Sequence, residues 1–574
     1  MQTDIKKLVR KKKKKRRKID KQLKRKKMSI YFQSRRSPVL SRYGMVASSQ
    51  HLVSQVGQQI LKSGGNAVDA CVAMNAVLGV VEPTSTGLGG DCFVLFYDNS
   101  KKKVFGLNGS GRTSQSLTHE YVKQQLNSKK VNIFHALNVT VPGNVCGMLD
   151  LFTSIYNPYL AKMLRNIISH GKDGFYSGDV ADALVSVVQE HKGLLTLKDL
   201  AKHTSTWVDP INVNYKGINI WEIPPNGQGI AALMALNFYQ HLQTQGKHTL
   251  PPFKKPESIA DNFYGLSEIT DANVQDLHYK IECMRLGFKY AREFRKEKKK
   301  KLLKFIFVFE QLSKKIKNKK IDKKGNKLLV GLFFKKLEFA KERGKKERFS
   351  GRINNKLSEE GKPLTSSDIV SFCAVDYWGN ACSFISSNFH EFGTGLVPKN
   401  FGFTLQNQDF GDHITRLSQE WPHELFADFG VMGGFMQPQG HFQVLTNLID
   451  KGMNAQECLD EPMFCISLSE VNLKVHNHSQ LLIEENIYGN QNIQKLCQQV
   501  FGRGQVIFKN DTNNVLWGGS DGHGDGCALG LECPPLTVSE SKLLDYYLFY
   551  FIFFAVNDNN YHFKNKNEIK GKNK

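Results

Sequence analysis

At 574 residues, with 40% hydrophobic side chains, the chain is long enough to bury at least one large core and to hold two or more domains. Its net charge of +26 suggests a polyanion partner until it is located: residues 1–28 carry +14 and residues 295–348 carry +16, which leaves a body of −4. That body is not the surface of a nucleic-acid binder, so the charge excludes little and identifies nothing about the main function.

In chain order, the first segment, 1–27, is a basic run with no apolar stretch after it, and so not a secretory signal. Together with about 296–327 and 531–574 it is rich in Lys, Asn, Ile, Phe and Tyr, with few turn residues and no amphipathic period. Two explanations stand side by side. These stretches are translated non-coding sequence, with Met28 as the true start, or they include a nuclear-targeting or RNA-binding arm. The apolar run from Leu543 to Val556 is interrupted by Asp545 and is shorter than the ~20 residues of a spanning helix, so membrane insertion is not expected.

The body reads as mixed α/β. His51 to Lys62 has helical apolar spacing and stops at Gly64-Gly65, and Ala67 to Val81 reads as a buried helix of small residues. Cys92 to Tyr97 and Lys103 to Leu107 flank Asp98-Asn99-Ser100 as a β-hairpin. Val370 to Val375 and Ala381 to Ile385 flank a turn containing Asp376, Gly379 and Asn380, and read as a second hairpin. The eleven cysteines are odd in number and contain no C-x-x-C pair, and several lie inside apolar runs. A disulfide scaffold and a cysteine zinc site are therefore not expected, and a reducing, cytoplasmic compartment is.

Glycine-rich stretches between Gly44 and Arg112 lack the G-K-S/T and strand–GxGxxG–helix arrangements of nucleotide sites. Their order is more informative: SGGNAVDA, VVEPTSTGLGGDCF and LNGSGR, then VTVPGNV, YKGINIWEIPPNGQG and ECMRLGFKYAR. FCAVDYWGNACSFISSNFHEFGTGLVP, GVMGGFMQPQGH and GSDGHGDGCALG follow. In that order these motifs resemble the γ-glutamyltransferase (γ-glutamyltranspeptidase, glutathione hydrolase) family over about 28–295 and 328–530, closest to its cytosolic, signal-less branch.

The resemblance implies a four-layer αββα sandwich of the N-terminal-nucleophile hydrolase type, made as a zymogen that cuts itself before a threonine. The freed threonine attacks a γ-glutamyl amide such as glutathione, with its own α-amine as base, and no metal or organic cofactor takes part. It also implies 28–368 as a large-subunit-like region, with the Lys-rich insertion at about 296–327, and 369–530 as a small-subunit-like region associated with it. The arm 1–27 and the tail 531–574 lie outside both.

Counting seven residues back from Asp376, the family's threonine position falls on Ile369, which has no hydroxyl for either step. Thr365, Ser366 and Ser367 are nearby but out of register. By the same resemblance Ser387 contacts the nucleophile, or is a strand-end serine bonded locally. Gly433 and Gly434 supply oxyanion-hole amides, or merely a turn. Arg112 clamps a substrate carboxylate, and Asn388 and Gln408 hold the α-amino end, or these are satisfied structural groups. The pocket segment is shortened over Asp412 to Gly430, leaving Arg416, Pro422 and His423. Two outcomes are expected: a γ-glutamyl hydrolase or transferase impaired at its nucleophile, or a non-catalytic pseudoenzyme that keeps the scaffold.

Overall fold

In the computed structural model, helix α1 (His51–Lys62) ends at Ser63 and the chain reverses through Gly64 at φ +90°. Helix α2 (Ala67–Val81) begins with a capping box. Asn66 Oδ1 accepts from the Val68 and Asp69 N–H groups at 2.8 and 3.1 Å, and Asp69 Oδ2 accepts from Asn66 N–H at 2.9 Å. A cap of this kind stabilises a helix by about 1 kcal/mol. The SGGNAVDA motif is therefore a helix-turn-helix junction. A further acceptor comes from far along the chain, where Asp376 Oδ2 takes the Ala67 N–H at 3.0 Å.

The structure describes residues 36–126, 131–132, 134–151, 170–224, 227–244, 271–296, 369–407, 417–420, 425–468, 479–483, 501–510 and 513–536. The arm 1–27, the insertion beyond 296, residues 537–574, Gln408, Arg416, Pro422, His423 and the Thr365, Ser366 and Ser367 group lie outside them.

Two seven-stranded antiparallel sheets dominate. In the first the strands are β2 (Met45–Ser48), β3 (Asp91–Asp98), β4 (Lys103–Gly109), β5 (Thr206–Val208), β8 (Ile369–Val375), β9 (Ala381–Ser387) and β16 (Cys527–Gly530). Their spatial order is β16-β2-β8-β9-β3-β4-β5. The second contains β1 (Val39–Ser41), β6 (Ile211–Tyr215), β7 (Ile218–Glu222), β10 (Leu417–Glu420), β11 (Leu425–Met432), β14 (Arg503–Asn510) and β15 (Val515–Ser520), ordered β1-β15-β14-β11-β10-β7-β6. A separate hairpin pairs β12 (Phe464–Leu468) with β13 (Ser479–Ile483).

Alternation along β8 shows how the layers form. Val370, Phe372 and Ala374 face a core shared with α1 and α2, while Ile369, Cys373 and Val375 face the second sheet. All seven residues of β8 are buried, because both of its faces are covered. On the far side of the second sheet, Ala427, Phe429 and Val431 of β11 pack against Ile230–Thr244, Asp271–Lys296 and Gln437–Lys451 (helices α3, α4 and α5). The result is a four-layer αββα sandwich of mixed α+β class, with β8 and β9 central in their sheet.

The folded body runs past residue 530, where the sequence reading ended it. Leu531 is buried, its N–H bonds to the Gly44 carbonyl at 2.9 Å, and Leu536 N–H bonds to the Lys62 carbonyl at 2.9 Å. Among the described residues no helix is long and apolar enough to cross a membrane.

Candidate active site

The β8–β9 and β3–β9 ladders share a register that aligns three side chains. Ile369 pairs with Ser387, and Ser387 pairs with Asp91. The three form one row across β8, β9 and β3, with neighbouring Cβ atoms about 5 Å apart. All three line a single small cavity with Phe93, Ile385, Ser386, Phe389 and Gln406. Its volume is about 10 Å³, room for about one water. Ile369 is fully buried and shares the inter-sheet core with Phe93, Ile385 and Met432.

Glycine-rich turns make this end of the sheet possible. A Cβ on Gly90 would lie 2.3 Å from the Ser387 carbonyl oxygen, so only glycine lets the chain enter β3 against β9 there. The backbone then places Gly90 carbonyl to accept from Gly143 and Asn144 N–H at 3.0 and 2.8 Å. These bonds bring the VTVPGNV segment beside Asp91.

Asp91 is the buried charge of the site. Its Oδ1 accepts from Gln406 Nε2 at 2.7 Å, Gly111 N–H at 2.8 Å and Gly143 N–H at 3.3 Å. Loss of water around it pushes its pKa up to about 7, against the opposing pull of these donors and of the Ser110 hydroxyl. Asp91 Oδ2 and Gln406 Oε1 are both buried without a hydrogen-bond partner. Gln406 also bonds Thr140 Oγ1 through Nε2.

Ser387 Oγ accepts the Phe389 N–H at 2.7 Å, and Phe389 is held at φ +77°, a strained conformation for an aromatic residue. Behind the row, Ser386 Oγ meets Thr86 Oγ1 and accepts from Asn144 Nδ2 at 2.9 Å.

The residues singled out from sequence distribute unevenly around this centre. Ile369 and Ser387 lie in the row. Gly433 (φ +120°) and Gly434 (φ +53°) form the turn from β11 into α5, after Met432, which packs in the same core as Ile369. Asn388 turns away from the cavity: its Nδ2 donates to the Pro83 carbonyl at 3.2 Å and Thr404 Oγ1 at 3.3 Å. Arg112 is exposed and reaches Thr204 Oγ1 at 3.5 Å, so its guanidinium does not line the cavity; only its neighbour Gly111 touches Asp91. The sequence reading missed Asp91, Gln406 and Phe389. A signal was present for Asp91, a carboxylate opening the apolar strand run Asp91–Asp98 directly after Gly89-Gly90. Among the described residues no group of three or more His, Cys, Asp or Glu is arranged to hold a metal ion.

The sequence profile of the family described as Gamma-glutamyltranspeptidase matches residues 53–154, 147–420 and 417–531. The "Glutathione hydrolase-like YwrD proenzyme" of Bacillus subtilis (strain 168) is 25% identical over 85% of this chain and 98% of its own length. The "Glutathione hydrolase proenzyme" of Escherichia coli (strain K12) is 24% identical over 74% of this chain and 81% of its own. Among solved structures, a cephalosporin acylase from Bacillus halodurans superposes with a TM-score of 0.63 and 28% identity, covering 88% of this chain and 99% of that one.

Proposed function

The chain belongs to the gamma-glutamyltranspeptidase family, and from that membership we propose a scaffold for hydrolysing or transferring the γ-glutamyl group of glutathione and related amides, disabled here at its nucleophile. The observation that carries this reading is Ile369. It is a fully buried aliphatic side chain at the first position of β8, where the motif count places a threonine. An N→O acyl shift needs a hydroxyl to attack the preceding carbonyl, and an acyl-enzyme needs the same oxygen as its attachment point. Isoleucine supplies neither. What supports the reading around it is Ser387 directly opposite, the Gly433–Gly434 turn after Met432, and a buried carboxyl at Asp91.

On this reading Ser387 contacts the group at 369 and the Gly433 and Gly434 amides face the reacting carbonyl. Arg112, whose side chain now reaches Thr204, and Gln408, which lies outside the described residues, take the substrate ends. The chain works as a large-subunit-like part (28–368) and a small-subunit-like part (369–530) that remain one polypeptide. It acts in the cytoplasm, as in the family's signal-less branch, without nucleic-acid or membrane partners.

A second reading is a non-catalytic relative that keeps the sandwich as a binding or structural protein. The small size of the cavity, about 10 Å³ with Ile369 and Phe389 among its lining residues, favours it over residual catalysis by a neighbouring hydroxyl. Intact mass and gel analysis of the purified protein, beside Ile369→Thr, tests the proposal, with release of glutamate from glutathione measured on both. Cleavage of the parent chain between 368 and 369 overturns it.

A further inference from the structure

Position 369 has two flanks, and the row through Ser387 and Asp91 occupies only one of them. On its other side β8 pairs with β2, in a register that sets Ala47 against Cys373. Carried on to Ser49, the residue after β2, that register brings Ser49 level with Ser371, close to position 369. Ser49 Oγ donates to Glu82 Oε2 at 2.7 Å. Glu82 is buried, closes α2, and opens the loop whose Pro83 and Ser85 carbonyls hold Asn388. A carboxylate therefore stands on the flank of position 369 away from Asp91.

Its cation comes from the second sheet. Arg503 opens β14 and is the register partner of Met432, which shares the inter-sheet core with Ile369 and Ile507 and stands just before Gly433-Gly434. Register partners project to the same face, so Arg503 leaves its sheet towards β8 rather than towards the outer helices. Its Nη1 lies 3.4 Å from Glu82 Oε1, long for such a bond. Among the described residues Glu82 is the one hydrogen-bonding side chain it meets, so most of its five donors are unspent. The Arg503 side chain is 27% exposed and that of Glu82 10%, so the pair is open on one side. Gly524 covers the arginine stem, where a Cβ would come within 2.8 Å of Arg503 Cδ. That loop is held in place by Arg36, which donates to the Ser520, Asp521, Gly524 and Gly526 carbonyls at 2.5 to 3.3 Å. Asp521, the other acid beside β14, accepts from the Gly504 and His523 N–H groups.

A cation and an anion held this loosely, side by side and partly open, match the carboxylate and the ammonium of an α-amino acid. A lone carboxylate is repelled by Glu82 and a lone ammonium by Arg503, so the pair selects the zwitterion over either half. We propose that Arg503 and Glu82 form the subsite for the amine half of the reaction. Its ligand is a free α-amino acid, as the product released from a γ-glutamyl amide or as the acceptor of the acyl group, with its carboxylate on Arg503 and its amine on Glu82. The acyl half lies on the Ser387–Asp91 flank. Binding makes and breaks no covalent bond. The inference rests on 369 as the reacting position, because the two flanks of that position divide the substrate.

The test is binding of L-alanine to the full chain, followed by saturation-transfer NMR, and it does not need catalysis. Alaninamide and N-acetyl-L-alanine serve as probes that each lack one charge. The parent should bind L-alanine in the millimolar range and each half-probe about tenfold more weakly. Arg503→Gln should weaken L-alanine about tenfold, and Arg503→Lys by less, since a point charge keeps the attraction and loses the fork. Glu82→Gln should weaken L-alanine and strengthen N-acetyl-L-alanine, a reversal that a purely structural ion pair does not produce. The half-probes on the parent keep the test decisive if a variant fails to fold. No L-alanine binding at about 50 mM, equal binding of the three probes, or an unchanged constant in Arg503→Gln overturns the proposal. Binding of the expected kind in a chain that hydrolyses nothing even as Ile369→Thr leaves this inference standing and counts against the catalytic reading alone. Conversely, glutamate release by Ile369→Thr, with L-alanine bound equally by the parent, Arg503→Gln and Glu82→Gln, sinks this inference and spares that reading.

Discussion

Ile369 and Ser387 stand directly opposite each other in the β8–β9 ladder, an aliphatic side chain facing a hydroxyl at the end of a central strand. Side chains on one face of an antiparallel pair sit close enough to select each other, and this ladder mixes apolar–apolar pairs with aliphatic–hydroxyl ones such as Val370 with Ser386 and Ser371 with Ile385. Phe372 faces Phe384, with ring centroids 5.0 Å apart, and Val375 faces Ala381. On the proposed reading, the pair at 369 and 387 is the one at which the nucleophile is missing.

The parent chain is expected to remain one piece and to release no glutamate from glutathione. Ile369→Thr alone is expected to restore little, because the shortened segment after Gln408 and the insertion after Lys296 are unchanged. Mass spectrometry of both proteins after prolonged incubation decides this. Efficient self-cutting by Ile369→Thr would show that one residue disabled an otherwise sound site.

Asp91 should make stability fall as pH rises. Its pKa is about 7 when folded against 3.8 for the unperturbed group, so the folded state binds the extra proton. Its contribution is complete below about pH 4 and is lost as pH climbs to about 7, by a total of about 4 kcal/mol. Asp69 and Asp376 are also raised by burial, but they are common to parent and variant. Asp91→Asn should therefore gain on the parent between about pH 5 and about pH 8 in urea unfolding, and parallel curves would refute the assignment.

Two glycines with positive φ should respond differently to alanine. At Gly433 a Cβ would lie 2.7 Å from the Gly502 Cα, so backbone strain adds to a backbone clash. At Gly452, the left-handed cap of α5, nothing lies within 4 Å. Gly452→Ala should cost about 1 kcal/mol and Gly433→Ala about 3 kcal/mol or more. Equal losses by thermal denaturation would mean that the 432–434 turn yields easily.

Phe384→Ala should destabilise by about 3–5 kcal/mol, since Phe384 is fully buried and stacked on Phe372 in the core beneath the row. Chemical denaturation of the variant measures it. A loss near 1 kcal/mol would indicate that α2 collapses onto the vacated space.

The sequence by itself determined the local elements whose causes are local. The helix at His51–Lys62, the helix opened by Asn66 and Asp69, and both hairpins follow from periodicity, capping side chains and turn residues within a few positions of each other. Motif order determined the family and hence the four-layer class, and counting from Asp376 is what proposes Ile369 as the nucleophile position. Only the tertiary structure decided the site's second half. Asp91 and Ser387 are 296 residues apart and become neighbours through strand register, a property of paired chains that no single stretch encodes. The same holds for the exclusion of Asn388, whose amide is captured by the Pro83 carbonyl and Thr404, and of Arg112, whose side chain is drawn to Thr204. A residue type shows what a group is able to do, whereas its burial and its competing partners, set by long-range packing, decide which of those things it does.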